Sequence, residues 1–453
     1  MFQYFPQKYP WSLAVSCSIA MGAEISELDE ALRPLVPLVD AGQDAAADEA
    51  WYQNWTRLGH KLAAMADRDD VAGNRFTASA KYMRAANYYL FAERIAAWSD
   101  PRRMHVYDLG LDAFRKGLDR SGVRWERIEV PYEDGVLAGW LRLADGPGRQ
   151  PAVIFYNGFD SIKEMHYQIY ADLAAQRGIA TLFVDQEGTG EAIRYHRIAK
   201  RNDTEVSAGK FHDALARHPS IDKDRIGIIG LSMGGYCAPR AAAMDHRFKC
   251  VACIGAFFEL DAAWEAILRG RAQAGLSDGL PQSGLHAMHV TNTRNIDDAI
   301  AVMKSRTLEP VIDRITCPLL VVHGENDRQV ALAHARKTVA GAVNSQAAEL
   351  RIFTLTEGAT EHCGVDVMKM QGHYVYDWVA KILGGKPDET IPGQGGRRHR
   401  GQLRDWCGHC GKARRRGGHG LRRCQQGSRQ GGGGRRRDGT AGRTGQGHGG
   451  RRP

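Results

Sequence analysis

Along the first 120 residues the apolar positions recur at helical spacing. Trp51, Trp55, Leu58 and Leu62 fall on one helical stripe, as do Tyr82, Ala85, Ala86 and Tyr89. These aromatics read first as helix-pair packing. The alternative is that some of them, with Trp11, Tyr82 and Tyr89 as candidates, line a pocket. "WSLAVSCSIAMGA" (11–23) reads as a buried helix rather than a signal h-region, because only Lys8 is basic ahead of it and Pro6 and Pro10 interrupt it. At Trp125 the period changes from 3.6 to 2. "RWERIEVPYEDGVLAGWLRLA" predicts two strands turning at Glu133-Asp134-Gly135. Six apolar runs then alternate with helical stretches: "PAVIFYNG", "IATLFVD", "RIGIIGLS", "KCVACIGAFF", "PLLVVHGEND" and "ELRIFTL". Continuous apolar strands separated by amphipathic segments predict a mostly parallel sheet covered by helices on both faces.

This pattern divides the chain into a helical N-terminal part (10–122), an α/β part (123–390) and a Gly/Arg-rich tail (391–453). Residues 264–316, helical and broken by Gly and Pro, read as a lid-like insertion between two strands. The tail lacks core-forming residues and is expected to be disordered. A tail translated out of frame and a nucleic-acid-binding tail are the alternatives. The second is weakened because Trp406 is its only aromatic. Cys407-Gly-His-Cys410 resembles half a redox or zinc motif, but no second pair accompanies it.

Charge changes the picture only through this tail. The 453 residues carry a formal +9, yet the tail alone holds 17 Lys and Arg against 2 Asp and Glu, leaving the body at about −6. A basic surface for nucleic acid is therefore not expected of the body. The nine cysteines lie mostly in apolar runs, as packed thiols of a cytoplasmic protein do. No apolar run reaches the length of a membrane span. The body shows no phosphate-cradling loop and no His/Cys ligand cluster, so neither a metal nor an organic cofactor is expected.

The chemistry gathers at "RIGIIGLSMGGYCAPRAAAM". Ser232 follows an apolar strand, precedes a helix, and lies between Gly230 and Gly234. A G-x-S-x-G at a strand-to-helix turn is a nucleophile elbow, which lifts the hydroxyl above the sheet edge. A serine needs a base, and the base an orienting acid, in chain order Ser, Asp, His. Asp327 follows the strand of "PLLVVHGENDRQV", and His362 follows the next strand in "GATEHCG". His323 reads as shaping the same turn as Asp327, and His373 as facing away or packing within a later helix. For the oxyanion, the amide of Met233 and, by position, that of Phe159 in the loop "NGFD" are the candidate donors. "DQEGTGEA" (185–192) reads as a tight structural turn.

The stretches "RIGIIGLSMGGYCAPRAAAMDHRFKCVACIGAF", "CPLLVVHGENDRQV" and "GATEHC" resemble bacterial and fungal α/β-hydrolases with an N-terminal helical domain. That group includes dihydropseudooxynicotine hydrolase and the yellowish-green-type hydrolases that shorten polyketides. The resemblance spans about residues 10–385. It implies the α/β-hydrolase fold and hydrolysis of a carbon–carbon bond beside a ketone, or of an ester, in a small aromatic or polyketide-like substrate. Carbon–carbon cleavage must protonate a carbon leaving group, and "GAFFELDAAWEA" offers Glu259, Asp261 and Glu265 for this, with Glu265 favoured. A carboxylesterase or acyl-peptide hydrolase shares the same triad. An inactive hydrolase-fold binding module is the reading from another class. The expected partner is a small-molecule substrate; a homodimer is compatible with the sequence, and a membrane or nucleic acid is not expected.

Overall fold

A computed structural model of the chain describes residues 2–270 and 282–386. The expectations for the 391–453 tail, including Cys407 and Cys410, and for the middle of the 264–316 insertion lie outside the described residues. Met1–Thr390 forms one compact unit.

Six helices come first: α1 (Tyr9–Ala20), α2 (Ile25–Leu32), α3 (Val36–Asp40), α4 (Asp44–Val71), α5 (Arg75–Ile95) and α6 (Arg102–Ser121). Helix α5 packs against α4 and α6. The helical stripes of the sequence close here. Trp51 and Trp55 are fully buried, and the Trp51 ring lies 4.6 Å from Trp11 and 5.0 Å from Trp55. Trp51 Nε1 donates to the Phe91 carbonyl at 2.8 Å, which satisfies one buried indole. Between α1 and α5, Asn87 and Ser18 exchange two buried hydrogen bonds of 2.9 Å.

The sheet follows: β1 (Trp125–Tyr132), β2 (Gly135–Arg142), β3 (Gln150–Tyr156), β4 (Ala180–Val184), β5 (Ile221–Leu231), β6 (Val251–Ile254), β7 (Leu319–Gly324) and β8 (Ala348–Phe353), in the order β1-β2-β4-β3-β5-β6-β7-β8. The β1–β2 and β2–β4 pairings are antiparallel and the other five parallel. This is the α/β-hydrolase architecture that the resemblance implied. The predicted hairpin turns at Glu133 and Asp134, with Glu133 at φ 50°.

Helices α7 (Lys163–Gln176), α8 (Gly190–Arg194), α9 (Glu205–Arg217), α10 (Gly234–Met244), α11 (Ala262–Leu268), α12 (Gln282–Val290), α13 (Ile296–Lys304), α14 (Leu332–Gly341) and α15 (Met368–Leu383) complete the described fold. Alternate strand residues feed two cores. Val153, Phe155, Ile229 and Val322 face α7, α15 and the N-terminal helices, and Ile154, Ile228, Val251 and Val321 face α9 and α10. The helical part therefore shares one continuous core with one face of the sheet. Continuous apolar runs arise because both faces are covered.

The helical part also reaches the loops at the C-terminal ends of the strands. Glu93 of α5, its side chain 3% exposed, is held between Arg103 of α6 at 2.6 Å and Arg194 of α8 at 2.8 Å. Burial raises its carboxyl, but the two guanidinium charges outweigh that and hold it below the usual range. Its neighbour Arg94 meets Asp160, in the loop after β3, at 2.6 Å.

Candidate active site

Ser232 lies between β5 and α10 in a left-handed backbone conformation, φ 55°. A non-glycine residue there carries about 1–3 kcal/mol of strain, so the surroundings must impose it. They do so by close approach. A Cβ on Gly230 would collide with the Gly234 carbonyl, and one on Gly234 would lie 2.7 Å from the carbonyl oxygens of Tyr156 and Asn157. The Ser232 amide is pinned to the Ile254 carbonyl at 2.7 Å.

The structure brings Ser232, Asp327 and His362 together. His362 Nε2 lies 2.8 Å from Ser232 Oγ, and His362 Nδ1 lies 2.8 Å from Asp327 Oδ2. A carboxylate only accepts, so it holds the ring proton on Nδ1 and leaves Nε2 of the neutral ring as an acceptor. Asp327 is fixed in turn, its Oδ1 accepting from the amides of Gln329 and Val330 at 2.8 Å each. Burial raises the Asp327 carboxyl, but His362 and these hydrogen bonds bring it below its ordinary value. Burial pushes the His362 imidazole down, and the Asp327 charge overcomes this and carries it well above its ordinary value. His323 Nε2 donates to the Val330 carbonyl at 2.9 Å and shapes the Asp327 turn, and His373 is exposed on α15, as read from the sequence.

The loop after β3 is fastened from below. The Gln186 side chain pairs with both backbone groups of Asn157, at 3.1 and 2.9 Å. Asp185 accepts from Asn157 Nδ2 and from the Lys163 amide, each at 2.9 Å, and from Lys163 Nζ at 2.7 Å. The 185–192 turn is thus structural, as expected. Burial holds His166 neutral, its pKa down to about 3, and its Nε2 lies 2.9 Å from Ser161 Oγ, which accepts from the Gly158 amide at 2.8 Å. The amides of Met233 and Phe159 donate to no acceptor among the described residues. A Cβ on Gly158 would sit 3.3 Å from the Ser232 Cβ, so this loop borders the hydroxyl.

Two further sets of candidates make their contacts elsewhere. Glu265, on α11, is bound by Lys304 at 2.7 Å and Arg269 at 3.0 Å, and the Lys304 hydrogen bond first, then that of Arg269, holds its carboxyl below its usual range. Engaged with these two cations, it makes no hydrogen bond to Ser232, Asp327 or His362 among the described residues. The candidate aromatics make their contacts within the helical part. Trp11 is interior to the helical core. Tyr82 donates to Asp67 at 2.5 Å, and Tyr89 OH meets His60 Nδ1 at 2.8 Å.

The sequence reading missed the residues that do approach the site. Tyr9 of α1 lies with its hydroxyl 3.4 Å from Gln329 Nε2 and within electrostatic reach of His362. Cys363, at φ 53°, places its thiol 3.4 Å from His362 Nε2. Trp98, in the turn between α5 and α6, donates to His286 Nδ1 of α12 at 3.3 Å, so the His286 Nε2–H donates to the Phe159 carbonyl at 3.2 Å. One imidazole thereby links the helical part, the insertion and the loop beside Ser232. The Trp-Ser-Asp-Pro break at 98–101 was the available signal for Trp98; the other two carried none.

A family model described as Esterase FrsA-like matches residues 45–342. The chain is 30% identical over 315 residues to the Alpha/beta hydrolase xenA of Xenoacremonium sinensis, a match covering 60% of this chain and 72% of that one. It is 28% identical over 357 residues to the 2,6-dihydropseudooxynicotine hydrolase of Paenarthrobacter nicotinovorans, covering 78% of this chain and 90% of that one. The crystal structure of the 2,6-dihydroxy-pseudo-oxynicotine hydrolase matches with a TM-score of 0.66 at 24% identity, over 83% of this chain and 98% of that one. That likeness concerns the fold. No helix among the described residues is long and apolar enough to cross a membrane.

Proposed function

The chain belongs to the FrsA-like esterase family of α/β-hydrolases, and from that premise we propose that it cleaves its substrate by nucleophilic catalysis from Ser232. The observation that carries this is the chain of two 2.8 Å contacts from Asp327 through His362 to a hydroxyl held at φ 55°. Ser232 Oγ attacks the substrate carbonyl carbon while His362 Nε2 takes its proton. The oxyanion forms against the amides of Met233 and Phe159, which have no acceptor of their own among the described residues. Collapse breaks the bond to the leaving group, which takes the proton from His362. Water then attacks the acyl carbon while His362 takes one of its protons, the bond to Ser232 Oγ breaks as His362 returns that proton to Oγ, and the acyl group leaves as the acid.

The leaving group is an alcohol for an ester or an enolisable carbon for a ketone. The matching family model is described as an esterase, and one relative is named a 2,6-dihydropseudooxynicotine hydrolase, so both leaving groups stay within the proposal. The substrate class is a small aromatic or polyketide-like acyl compound, and the helices α1–α6 act as its cap, through Tyr9, Arg94 and Trp98. A panel of aryl β-diketones, aryl esters and acyl-peptides tests this. Turnover of the first two that vanishes in Ser232→Ala supports it; turnover of acyl-peptides alone refutes the substrate class.

A further inference from the structure

Beside the loop that carries Phe159 lie two buried cations without carboxylate partners. Lys200 is 5% exposed, yet its Nζ makes no hydrogen bond and no ion pair among the described residues. Its place is fixed by its neighbours. The Lys200 amide donates to the Val290 carbonyl at the end of α12 at 2.7 Å, and Nζ lies 5.8 Å from the centre of the Phe159 ring. Its stem runs over Gly188, where a Cβ would collide with it. Arg306, after α13, is 2% exposed. It donates to the Arg201 carbonyl and, at 3.2 Å, to the Cys237 thiol, one turn into the helix behind Ser232. Among the described residues its Nε has no partner, and neither does the indole N–H of Trp264, whose ring meets Phe159 at 5.9 Å.

The nearby carboxyls do not compensate this charge. Asp160 is paired with Arg94 at 2.6 Å. Glu187 accepts from Ser207 Oγ at 3.0 Å, and burial pushes its carboxyl up toward the neutral form. A buried ammonium without a counter-ion is costly, and burial lowers the Lys200 pKa to about 7. Structural lysines avoid this state, as Lys163 does here, held by three carboxylates.

We propose that Lys200, with Arg306 behind it, forms a subsite beside Phe159 for an anionic oxygen of the substrate, a carboxylate or the enolate of a 1,3-dicarbonyl compound. This deepens the serine-hydrolase reading and rests on it for the reacting bond. An acidic substrate supplies the missing charge, and the aromatic rings of Phe159 and Trp264 flank its carbon frame. The bound anion favours the charged form of Lys200, so a Lys200 that was neutral takes up a proton from solvent when the oxygen arrives.

The test compares kcat/KM for three substrates in wild type and Lys200→Met: a neutral aryl butyrate, the matched aryl hemisuccinate and an aryl β-diketone. The proposal expects Lys200→Met to lose about tenfold or more on at least one anionic substrate. The butyrate should change by less than about twofold, and Lys200→Arg should restore most of the loss. Loss on the hemisuccinate alone assigns the subsite to a carboxylate, and loss on the diketone alone to an enolate. An equal change on all three substrates, or none on either anionic one, overturns it. Should Lys200→Met fail to fold, the wild-type ratio of hemisuccinate to butyrate kcat/KM decides. It should fall as pH rises through the Lys200 titration, set by Arg306, Cys237, Glu187, Asp160 and His286 around it; a flat ratio overturns the proposal. Labelling of Ser232 by a fluorophosphonate is scored in parallel. Normal labelling without anion preference refutes the subsite alone, whereas absent labelling refutes the serine reading.

Discussion

The two sides of the site differ in how their polar atoms are matched. On one side, Ser232, His362 and Asp327 pair with one another and with backbone amides, and among the described residues the Met233 and Phe159 amides have no acceptor. On the other, among the described residues, Arg306 Nε and the Trp264 indole N–H are buried without acceptors, and the Lys200 ammonium has neither hydrogen bond nor ion pair. The first side is complete before a substrate arrives, as groups that must be held rigid for the reaction require. The second is incomplete without a ligand, as a recognition surface is. The same contrast explains the wiring around Phe159. His286 fixes its carbonyl from the insertion, and Trp98 fixes His286 from the helical part.

Breaking the matched side has the largest effect. Ser232→Ala should lower kcat by about 10⁶ with an unchanged melting temperature, since among the described residues the hydroxyl's one partner is His362. Asp327→Asn should cost about 10⁴ in kcat. It should also move the acid limb of kcat/KM to lower pH. The reactive ring is neutral, so activity falls as pH drops through the His362 pKa, which the Asp327 charge raises against the effect of burial. Stopped-flow pH profiles in both proteins read the shift.

Sharpening the comparison needs changes between the two sides. Glu93→Gln leaves Arg103 and Arg194 buried without their anion and should cost about 3–5 kcal/mol of stability, read by urea unfolding. Turnover of a small activated ester at low temperature should be nearly kept. His286→Phe releases the Phe159 carbonyl and should lower kcat by about tenfold while the melting temperature falls little. The smallest effect is expected at Glu265, whose partners are partly exposed ions: Glu265→Gln should leave kcat/KM within about twofold.

The matched side was legible in the sequence because each of its members follows an apolar strand and is set by local turn chemistry. Gly230 and Gly234 mark the elbow, and Asp327 and His362 stand at consecutive strand ends. The sheet was legible for the same reason, its central strands being buried on both faces. The unmatched side was not. Lys200, Trp264 and Arg306 come from three loops and helices with no shared spacing, and only their unpaired donors mark them. Glu265 shows the reverse case: an acid near the right strand end, whose role is decided by Lys304 from another helix. The helical aromatics report a core, as their stripes first read, and the residues that approach the site, Tyr9, Arg94 and Trp98, lie at or between helix ends.

The central claim is that Ser232 carries the acyl group. Intact-protein mass measurement within the first turnovers of an activated aryl ester, followed by peptide mapping, tests it directly. The account predicts one acyl adduct per chain, located on Ser232, formed with a burst of aryl alcohol and absent in Ser232→Ala. An adduct that persists in Ser232→Ala, or one that maps to the adjacent thiol of Cys363, would contradict it.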